Sequence, residues 1–537
     1  MKTADYTPAQ LQAALAEFAR VVGPEWVFSS PDDLALYRDA YSPFFGEPAL
    51  EYRAAGAVAP TSVEQVQAIV RIANRHGIAL YPISTGRNLG YGGSAPTLSG
   101  SVVVDLKRMN RILEVNEKES YVLMEPGVSF FELYQHLHER RIPLMISTPE
   151  PGWGSPVGNA LDHGVGGAAG DNFAQVNGME VVLPNGELLR TGCGATVNSH
   201  LWQNYRYGFG PYIDGMFSQS NFGIVTKMGF WLRRAIGELQ SFTVISFNSD
   251  DLAPMIERLQ VLRDLGLVPQ GGCASPIRTS TSTGLGNIPR NFPEVRALLA
   301  RRDGGTPQEW NELGKHYQTP VSVVFGEVRG PAGVNAAVLK YAQELFSDIP
   351  GAQFVPGPAI DQLADPDSVD EAQKGSLGIP NLYGFNRLAV QGNSHGHYYL
   401  SPLFKPNAAE LFAINDTIRN VMIDAGDTAM LEHYGWWGGL GSYPKALIIL
   451  MDFLVYDDVE LNRRRRDLLR RIATACAARG WTEYRTPVAF QDMVMNLYSF
   501  NHNALLHFHE QVKDALDPNG IMAPGKSGIW PKRYRGA

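Results

Sequence analysis

The sequence predicts a mixed α+β protein of at least two domains, with the second domain inserted into the first. The chain has 537 residues, more than one compact core usually holds. Helix and strand patterns alternate with glycine clusters over residues 1–236, whereas residues 237–485 carry longer segments and fewer glycine clusters. Residues 486–537 end in the Gly/Pro-rich loop character of the first segment. We therefore expect one domain built from 1–236 and 486–537, and an inserted domain over 237–485.

Helix and strand signals are clearest in the first segment. An apolar stripe after Ser62, with Gln65 three residues on, predicts a helix that ends at Gly77. Ser129 and Glu132 repeat this capping pattern before a second helix. Strands are predicted for IALYPIST (78–85), SGSVVVDL (99–106), SYVLMEPG (120–127) and NFGIVTKMGFWLRR (221–234), with a hairpin turn at Asn185-Gly186.

Composition argues for a soluble globular protein and against several partners. Apolar residues make up 44% and charged residues 19%, and 46 basic against 54 acidic residues give a net charge of −8, which disfavours a nucleic-acid partner. The basic run from Asn462 to Arg471 is predicted to be a solvated helix face, because apolar residues recur at helical spacing. The three cysteines lack CxxC spacing, which argues against a disulfide scaffold or a zinc ribbon. With no apolar leader core and no apolar run of about 18 residues, we expect a cytoplasmic protein with no membrane partner.

The most informative stretch is STGRNLGYGG, residues 84–93, which places four glycines within eight residues. Glycine lets backbone N–H groups turn towards a ligand and approach it closely, as pyrophosphate sites require. The pattern is neither a Walker A loop nor a Rossmann fingerprint. A second glycine-rich stretch, GWGSPVGNALDHGVGGAAG, covers residues 152–170. A tight turn explains either loop alone, whereas two loops next to strands favour a dinucleotide site.

Several long motifs resemble, in order, the flavin-binding domain of the vanillyl-alcohol oxidase / p-cresol methylhydroxylase family. The resemblance covers nearly the whole chain and is weakest between about 240 and 380. It implies a p-cresol methylhydroxylase-type FAD-binding domain with an inserted α+β substrate (cap) domain. It also implies FAD-dependent oxidation of para-substituted phenols such as 4-alkylphenols and vanillyl-type alcohols. The motifs are PISTGRNLGYGG, GWGSPVGNALDHGVG, YGFGPYIDGMFSQSNFGIVTKMG, EYRT and DALDPNGIMAPGKSGIW.

The resemblance implies a set of FAD-binding residues from four parts of the chain. The first glycine loop would wrap the pyrophosphate, the second loop and a later strand would line the flavin, and a lysine near the C-terminus would cross back to the cofactor. These residues are Thr85, Gly86, Arg87, Asn88 and Leu89; Ser155, Gly158 and Asn159; Gly223, Ile224 and Val225; and Lys526.

A histidine in GNSHGHYYLSP is expected to bind the flavin covalently. Many members of this family carry such a histidine four residues before a Ser-Pro pair, and counting back from Ser401 gives His397. His395 is the neighbour that complicates the assignment. A branch of the family attaches the flavin through tyrosine, so Tyr383 and a non-covalent flavin stay as alternatives. The His-x-His pair has no nearby carboxylates, and no metal site is predicted.

The substrate is expected to be held as a phenolate. Removing hydride from the benzylic carbon is easier from the phenolate, whose charge moves through the ring to give a quinone methide. A phenol ionises near pH ~10, so the site must supply donors and a cation. In this family two tyrosines and an arginine do so, and the resemblance implies Tyr91, Tyr484 and Arg485. Arginine suits this role because it keeps its proton.

The base that activates water towards the quinone methide has two candidates. Oxidases of this family place an aspartate in a Pro-Asp-x-Gly setting, whereas this chain has Glu150 there, in PEPGWGS. A glutamate is longer by one methylene and can still act as a base. Asp452, within the apolar strand-like LIILMDFLVYD, is the alternative, because a carboxylate there is costly unless it has a partner. The second glycine loop also lacks the aromatic residue usual after HGVG, which leaves the size of the substrate open.

Competing functions differ in the electron acceptor or in the chemistry. O2 is the expected acceptor, and the alternative is a cytochrome c that receives electrons from a flavoprotein subunit. Two further hypotheses are a nucleotide-binding module without catalysis and a sugar or alditol oxidase on the same scaffold. The expected partners are a small phenolic substrate and, by family resemblance, a second copy of the chain in a homodimer or larger assembly.

Overall fold

The structure, a computed structural model, describes residues 2–149, 151–168, 170–278, 292–383, 394–427, 430, 436 and 438–536. Helices account for 39% and strands for 22%, which confirms the α+β class. The strands form three larger sheets, of four, five and eight strands, together with short two-stranded ribbons. None of the described helices is both long and apolar enough to cross a membrane.

The four-stranded sheet carries the first glycine loop. Parallel pairing joins Leu80–Ile83 to Val102–Asp105, and the loop leaves the end of Leu80–Ile83. The C-terminal segment returns to this edge, because Leu80 N–H donates to Ile521 O at 2.7 Å. A buried apolar cluster holds helices Pro8–Val22 and Val63–His76 on the sheet. In spatial order the strands are Val27–Phe28, Gly56–Val58, Val102–Asp105 and Leu80–Ile83.

The five-stranded sheet is antiparallel and packs against helix Phe130–Glu139 through a second buried cluster. The predicted hairpin at Asn185-Gly186 is confirmed, because strands Val176–Val182 and Leu188–Arg190 pair antiparallel on either side of it. Gly186 has φ = +84°, which favours glycine. In spatial order the strands are Leu188–Arg190, Val176–Val182, Ile224–Trp231, Tyr121–Met124 and Ile112–Asn116.

The eight-stranded sheet is formed by strands between residues 238 and 483. A large apolar cluster packs one face of it against helices Leu252–Asp264, Ala332–Phe346, Ala408–Ala425 and Val459–Ala478. Phe325 and Glu327 lie on the opposite face, which covers the glycine loops. In spatial order the strands are Gln353–Asp361, Glu238–Ser246, Ser322–Gly330, Gln270–Ala274, Gly439–Tyr443, Ala446–Ile448, Pro402–Phe404 and Thr482–Glu483.

The remaining elements are short strands and connecting helices. The ribbons pair Gly396–Leu400 with Met451–Val455, Arg233–Arg234 with Leu144–Met145, and Val165–Gly166 with Gly170–Asp171. Within the described ranges, the other α-helices are Pro31–Ala35, Pro156–Leu161, Pro293–Leu299, Pro307–His316, Glu371–Lys374, Gln491–Leu497 and Phe500–Leu516.

The predicted helix caps are present. Ser62 Oγ accepts a hydrogen bond from Gln65 N–H at 3.3 Å, and Gly77 ends that helix with φ = +65°. Ser129 and Glu132 form a complete capping box. Local hydrogen bonding of this kind depends on residues three apart, which is why the sequence alone could locate these helices.

The prediction that the basic run 462–471 forms a solvated helix face is wrong for part of the run. The run does lie on helix Val459–Ala478, but Arg465 and Arg466 are buried. Arg466 donates to Glu47 Oε2 at 2.5 Å and to Pro43 O at 2.6 Å. A carboxylate more than 400 residues away in sequence therefore makes burial of this arginine possible.

A buried ion pair fixes the C-terminal segment to the sheets. Lys513 and Asp517 are 0% and 1% exposed, and their Nζ and Oδ2 atoms lie 2.8 Å apart. Lys513 also donates to Asn221 O at 2.7 Å, while Asp517 accepts from the N–H groups of Ile521 and Met522. Every polar atom of the pair is thus used to hold the chain as it returns to the edge of the four-stranded sheet.

Replacing Lys513→Met should lower the free energy of unfolding by about 3–5 kcal/mol, because it leaves the Asp517 carboxylate buried without its cation. Chemical denaturation followed by circular dichroism measures this loss. Lys532→Met, which alters an exposed lysine of the same terminal segment, is the control. A variant within about 0.5 kcal/mol of the parent would contradict the assignment, since that is the effect of an ordinary surface change.

Candidate active site

A cavity of about 620 Å³ lies between the glycine loops and the eight-stranded sheet. This volume is in the range of cofactor and small-molecule sites. Residues of the glycine loops form one wall, and the opposite wall carries Phe325 and Glu327 of the sheet. The Glu327 carboxylate accepts from Ser376 Oγ at 2.5 Å and from Arg329 Nη2 at 2.8 Å. The sequence motifs gave no signal for Glu327, Arg329 and Ser376, because these residues lie in the region where the resemblance is weakest.

The first glycine loop lines the cavity and has backbone donors without an acceptor among the described residues. Gly86, Gly90, Gly92 and Gly93 all have φ between +56° and +119°, a region that side chains disfavour. Asn88 O accepts from the N–H groups of Tyr91 and Gly93, which closes the turn. Over the described part of the chain, no acceptor meets the N–H groups of residues 85–89. A row of free N–H groups along a cavity wall fits a pyrophosphate.

The second glycine loop packs tightly against the first. Ser155 Oγ donates to Pro126 O at 2.7 Å and caps the short helix Pro156–Leu161. A Cβ at Gly158 would lie 2.4 Å from Ser84 Oγ, so only glycine lets these two loops approach so closely. The two glycine loops together, here called the cradle, thus fit a flavin nucleotide. All the predicted FAD-binding residues except His397 line this one cavity: Thr85, Gly86, Arg87, Asn88 and Leu89; Ser155, Gly158 and Asn159; Gly223, Ile224 and Val225; and Lys526.

Tyr91, Tyr484 and Arg485 meet at the same cavity. The Arg485 guanidinium carbon lies 4.0 Å from the centre of the Tyr91 ring. Burial raises the pKa of Tyr91 well above its usual value, and burial also raises the pKa of Tyr484 although Arg485 opposes that effect. Both phenols therefore stay protonated at neutral pH and can donate hydrogen bonds, while Arg485 supplies a fixed positive charge.

Asp162 is a site residue that the sequence reasoning missed. Its Oδ1 lies 2.9 Å from Lys526 Nζ, and its Oδ2 accepts from Asn88 Nδ2 at 3.0 Å and lies 3.5 Å from Arg485 Nη2. Arg485 also donates to Asn88 Oδ1. Burial alone would raise the pKa of Asp162, but Lys526 and Arg485 outweigh it and hold that pKa well below its usual range. A signal did exist: Asp162 is the sole carboxylate in the stretch 152–170.

The predicted flavin-linking histidine lies just behind the cavity wall. His397 is 2% exposed, and its ring packs 5.1 Å from Tyr41 and 4.7 Å from Tyr399, between ring centres. Burial lowers the pKa of His397 to about 4, so its ring is neutral at physiological pH. Tyr399, two residues along the strand, lines the cavity and stacks on Tyr91 at 5.1 Å. His397 itself is not among the described lining residues.

The two alternative residues for the flavin link, His395 and Tyr383, lie in different surroundings. His395 contacts Asp457 Oδ1 at 2.7 Å and stacks on Phe45, so its ring is used in surface contacts. Tyr383 is half-buried two residues beyond Asn381, which lines the cavity.

Of the two candidate bases, the structure describes one. Asp452 is buried and lies directly opposite Tyr399 in the pairing of their strands. Glu150 lies outside the described residues. Across the part of the chain that the structure covers, no group of three or more His, Cys, Asp or Glu residues is arranged to hold a metal ion.

The fold and this site define a flavoprotein with an FAD-binding domain. A family model described as "FAD binding domain" matches residues 54–192. The 4-cresol dehydrogenase [hydroxylating] flavoprotein subunit of Pseudomonas putida is 31% identical, over 97% of this chain and 96% of its own length. The chain therefore belongs to the p-cresol methylhydroxylase / vanillyl-alcohol oxidase family of FAD-dependent oxidoreductases, as the sequence motifs predicted.

Two solved structures share the architecture over essentially the whole chain. The 4-ethylphenol oxidase from Gulosibacter chungangensis, in complex with isoeugenol, covers 100% of both chains with a TM-score of 0.82 and 31% identity. A p-cresol methylhydroxylase with substrate bound covers 98% of this chain and 99% of its own, with a TM-score of 0.82 and 28% identity.

Gly86→Ala should weaken FAD binding about tenfold, because a left-handed alanine costs about 1–2 kcal/mol and crowds the cradle. The added Cβ would lie 2.3 Å from Ser94 Oγ, at a residue with φ = +67°. Flavin absorbance per mole of purified protein, followed by titration of the stripped protein with FAD, measures the effect. Gly333→Ala is the matched control, since its Cβ would meet nothing within 4 Å. Unchanged flavin content in Gly86→Ala would argue against this loop as the cradle.

Proposed function

We propose that this protein oxidises 4-alkylphenols at the benzylic carbon, using FAD. The observation that carries the proposal is the meeting of Tyr91, Tyr484 and Arg485 at the wall of the cavity that also holds the glycine cradle. Two proton donors and a cation form a site for a phenolate oxygen, which a binding module or a sugar oxidase does not need. The relatives named for 4-cresol and 4-ethylphenol support this substrate class.

Tyr91, Tyr484 and Arg485, here called the phenolate clamp, favour the ionised form of the bound phenol. Arg485 is held over the Tyr91 ring at 4.0 Å, and its side chain is only 12% exposed. In such a poorly solvated place a positive charge within about 4–6 Å lowers the pKa of an acid by about 1–3 units. The two tyrosine hydroxyls add hydrogen bonds that are stronger to a phenolate than to a phenol. The site thus stabilises the phenolate before the benzylic hydride leaves.

The proposed FAD-binding residues surround the rest of the cavity. Backbone N–H groups of residues 85–89 would hold the pyrophosphate, while Ser155, Gly158, Asn159 and residues 223–225 would line the flavin. When bound, FAD supplies the hydride acceptor. Lys526 is kept at the cavity by Asp162 and places a positive charge beside the cofactor wall. Charge that develops on the cofactor side is stabilised there without further rearrangement.

The quinone methide is then hydrated or loses a proton to form an alkene. For hydration we propose Glu150 or Asp452 as the base that takes the proton from water. The position of Asp452 opposite Tyr399, whose ring stacks on Tyr91, supports its candidacy. As water adds to the benzylic carbon, negative charge returns to the phenolic oxygen, where Tyr91, Tyr484 and Arg485 stabilise it. One clamp therefore serves both halves of the reaction.

For the electron acceptor we propose O2, with a cytochrome c as the second candidate. One relative of 31% identity is named an oxidase, and another of 31% identity is named a dehydrogenase flavoprotein subunit. The two proposals separate in one stopped-flow experiment. Enzyme reduced anaerobically by 4-ethylphenol is mixed with air-saturated buffer, and slow return of the flavin absorbance would exclude the oxidase.

Tyr484→Phe should lower kcat/KM for 4-ethylphenol about 10- to 100-fold, because it removes one hydrogen bond to a charged oxygen. The rate of anaerobic flavin bleaching by 4-ethylphenol measures the reductive half-reaction directly. The matched control is Tyr443→Phe, whose ring contacts Tyr484 but whose hydroxyl donates to His163 O at 3.0 Å. If Tyr484→Phe and Tyr443→Phe bleach equally fast, the phenolate clamp is wrongly assigned.

The proposed covalent link predicts that the yellow colour stays with acid-precipitated protein. In His397→Ala the flavin should appear in the supernatant, because the linking ring is gone. Tyr383→Phe and His395→Ala are the controls and should keep the colour in the pellet. Free flavin from the parent protein would rule out a covalent link, and a yellow His397→Ala pellet would redirect the assignment to Tyr383 or His395.

A further inference from the structure

Four residues connect the wall proposed for FAD with the phenolate clamp. They are Asp162, Lys526, Arg485 and Asn88, and we call them the Asp162 cluster. The Asp162 carboxylate contacts Lys526 on one side and, on the other, both Asn88 and Arg485, at 2.9, 3.0 and 3.5 Å. Its side chain is 14% exposed and lines the cavity. It lies within the motif GWGSPVGNALDHGVG but was given no role there, and the proposed reaction assigns it no chemistry.

The Asn88 amide is oriented by the cluster. Its Nδ2 donates to Asp162 Oδ2, which leaves its Oδ1 to accept from Arg485. If the amide turned over, Oδ1 would face the Asp162 carboxylate and Nδ2 would face the Arg485 guanidinium, and both hydrogen bonds would be lost. Asp162 therefore fixes the direction from which Asn88 holds Arg485.

The backbone around Asp162 is held as firmly as its side chain. Asp162 N–H donates to Gly158 O at the end of the short helix Pro156–Leu161. Gln219 N–H donates to Leu161 O at 2.6 Å, and Gln219 Nε2 donates to Tyr484 O at 2.8 Å. The segment before Asp162 and the backbone of the clamp are thus linked by a second route. A carboxylate on this rigid support can define where a flexible arginine side chain lies.

Resting on the proposed function, we propose that Asp162 is a positioning residue for the phenolate clamp: through Asn88 and its own carboxylate it holds Arg485 over Tyr91. Arginine has several rotatable bonds, and loss of its partners would let it turn away from the phenolate oxygen. Asp162 also has an opposite, purely electrostatic effect, because a negative charge near Arg485 disfavours a bound phenolate. The two effects have opposite signs, so an experiment can separate them.

The pKa of a bound phenol is the readout. 4-Cyanophenol has no benzylic hydrogen, and its phenolate differs from the phenol in ultraviolet absorbance, so it can be titrated on the holoenzyme without turnover. In Asp162→Asn the positioning role predicts that the pKa of the bound phenol rises by about 1–3 units relative to the parent. A role as counter-charge alone predicts that this pKa falls. A fall or no change overturns the proposal.

Asn88→Ala is the second variant, and it keeps all three charges of the cluster. It removes the amide that links Asp162 to Arg485, so the proposal predicts an upward shift of the phenol pKa here too. A shift in the opposite direction, or none, overturns the proposal even if Asp162→Asn folds poorly. Asp162→Glu retains the carboxylate and should lie closer to the parent than Asp162→Asn does.

The matched control is Asp348→Asn, which breaks an exposed aspartate–arginine pair with Arg258 at 2.6 Å. It should leave the phenol pKa, the flavin content and the unfolding midpoint unchanged. Failure of the proposed function gives a different result from failure of this inference. A parent enzyme that binds 4-cyanophenol as the neutral phenol overturns both, whereas a parent that binds phenolate, with variants that do not shift upward, overturns only the role of Asp162.

Discussion

The site depends on one partly buried carboxylate that holds two cations from distant parts of the chain. Asp162 lies 2.9 Å from Lys526, 364 residues later, and 3.5 Å from Arg485. Taking these charges out of water is costly, and the cost is offset only when all of them are paired and hydrogen-bonded. Four segments must therefore be in place together: the first glycine loop, the short helix of the second, the turn at residues 484–485 and the C-terminal return. The Lys513–Asp517 pair secures the last of these, because it fixes the segment that places Lys526.

We propose that the first glycine loop serves two ligands, FAD through its backbone and the phenol through Tyr91, because residues 85–89 and Tyr91 line one cavity. The N–H groups of residues 85–89 would form the wall of the cradle, and the turn closed by Asn88 O places Tyr91 next to Arg485. Asn88 belongs to both parts, since its backbone closes the turn and its side chain bridges Asp162 and Arg485. A change that distorts the cradle is therefore expected to disturb the phenolate clamp as well.

Local signals in the sequence predicted much of the fold, and long-range pairing explains what they missed. The caps at Ser62 and Ser129 and the hairpin at Asn185-Gly186 depend on residues a few positions apart, and all three are present. The buried Arg466 was expected in solvent because its partner, Glu47, lies 419 residues away. Asp162 was missed for the same reason. Although it is the one carboxylate of the second glycine loop, its role depends on Lys526 and Arg485, which lie far away in the sequence. The family motifs did place Tyr91, Tyr484 and Arg485, but only the fold brings them to one cavity.

The charge of the Asp162 cluster suits a ligand that carries one negative charge at a time. Lys526 and Arg485 contribute two positive charges and Asp162 one negative charge, so these three residues leave a single positive charge. Two uncompensated cations in so poorly solvated a place would hold a phenolate product as firmly as the substrate, and tight binding of both raises no rate. With Asp162 present, the remaining positive charge can favour the phenolate during binding and the cofactor side as negative charge moves there. We propose that the carboxylate thereby lets one pair of cations act on both sides of the hydride transfer.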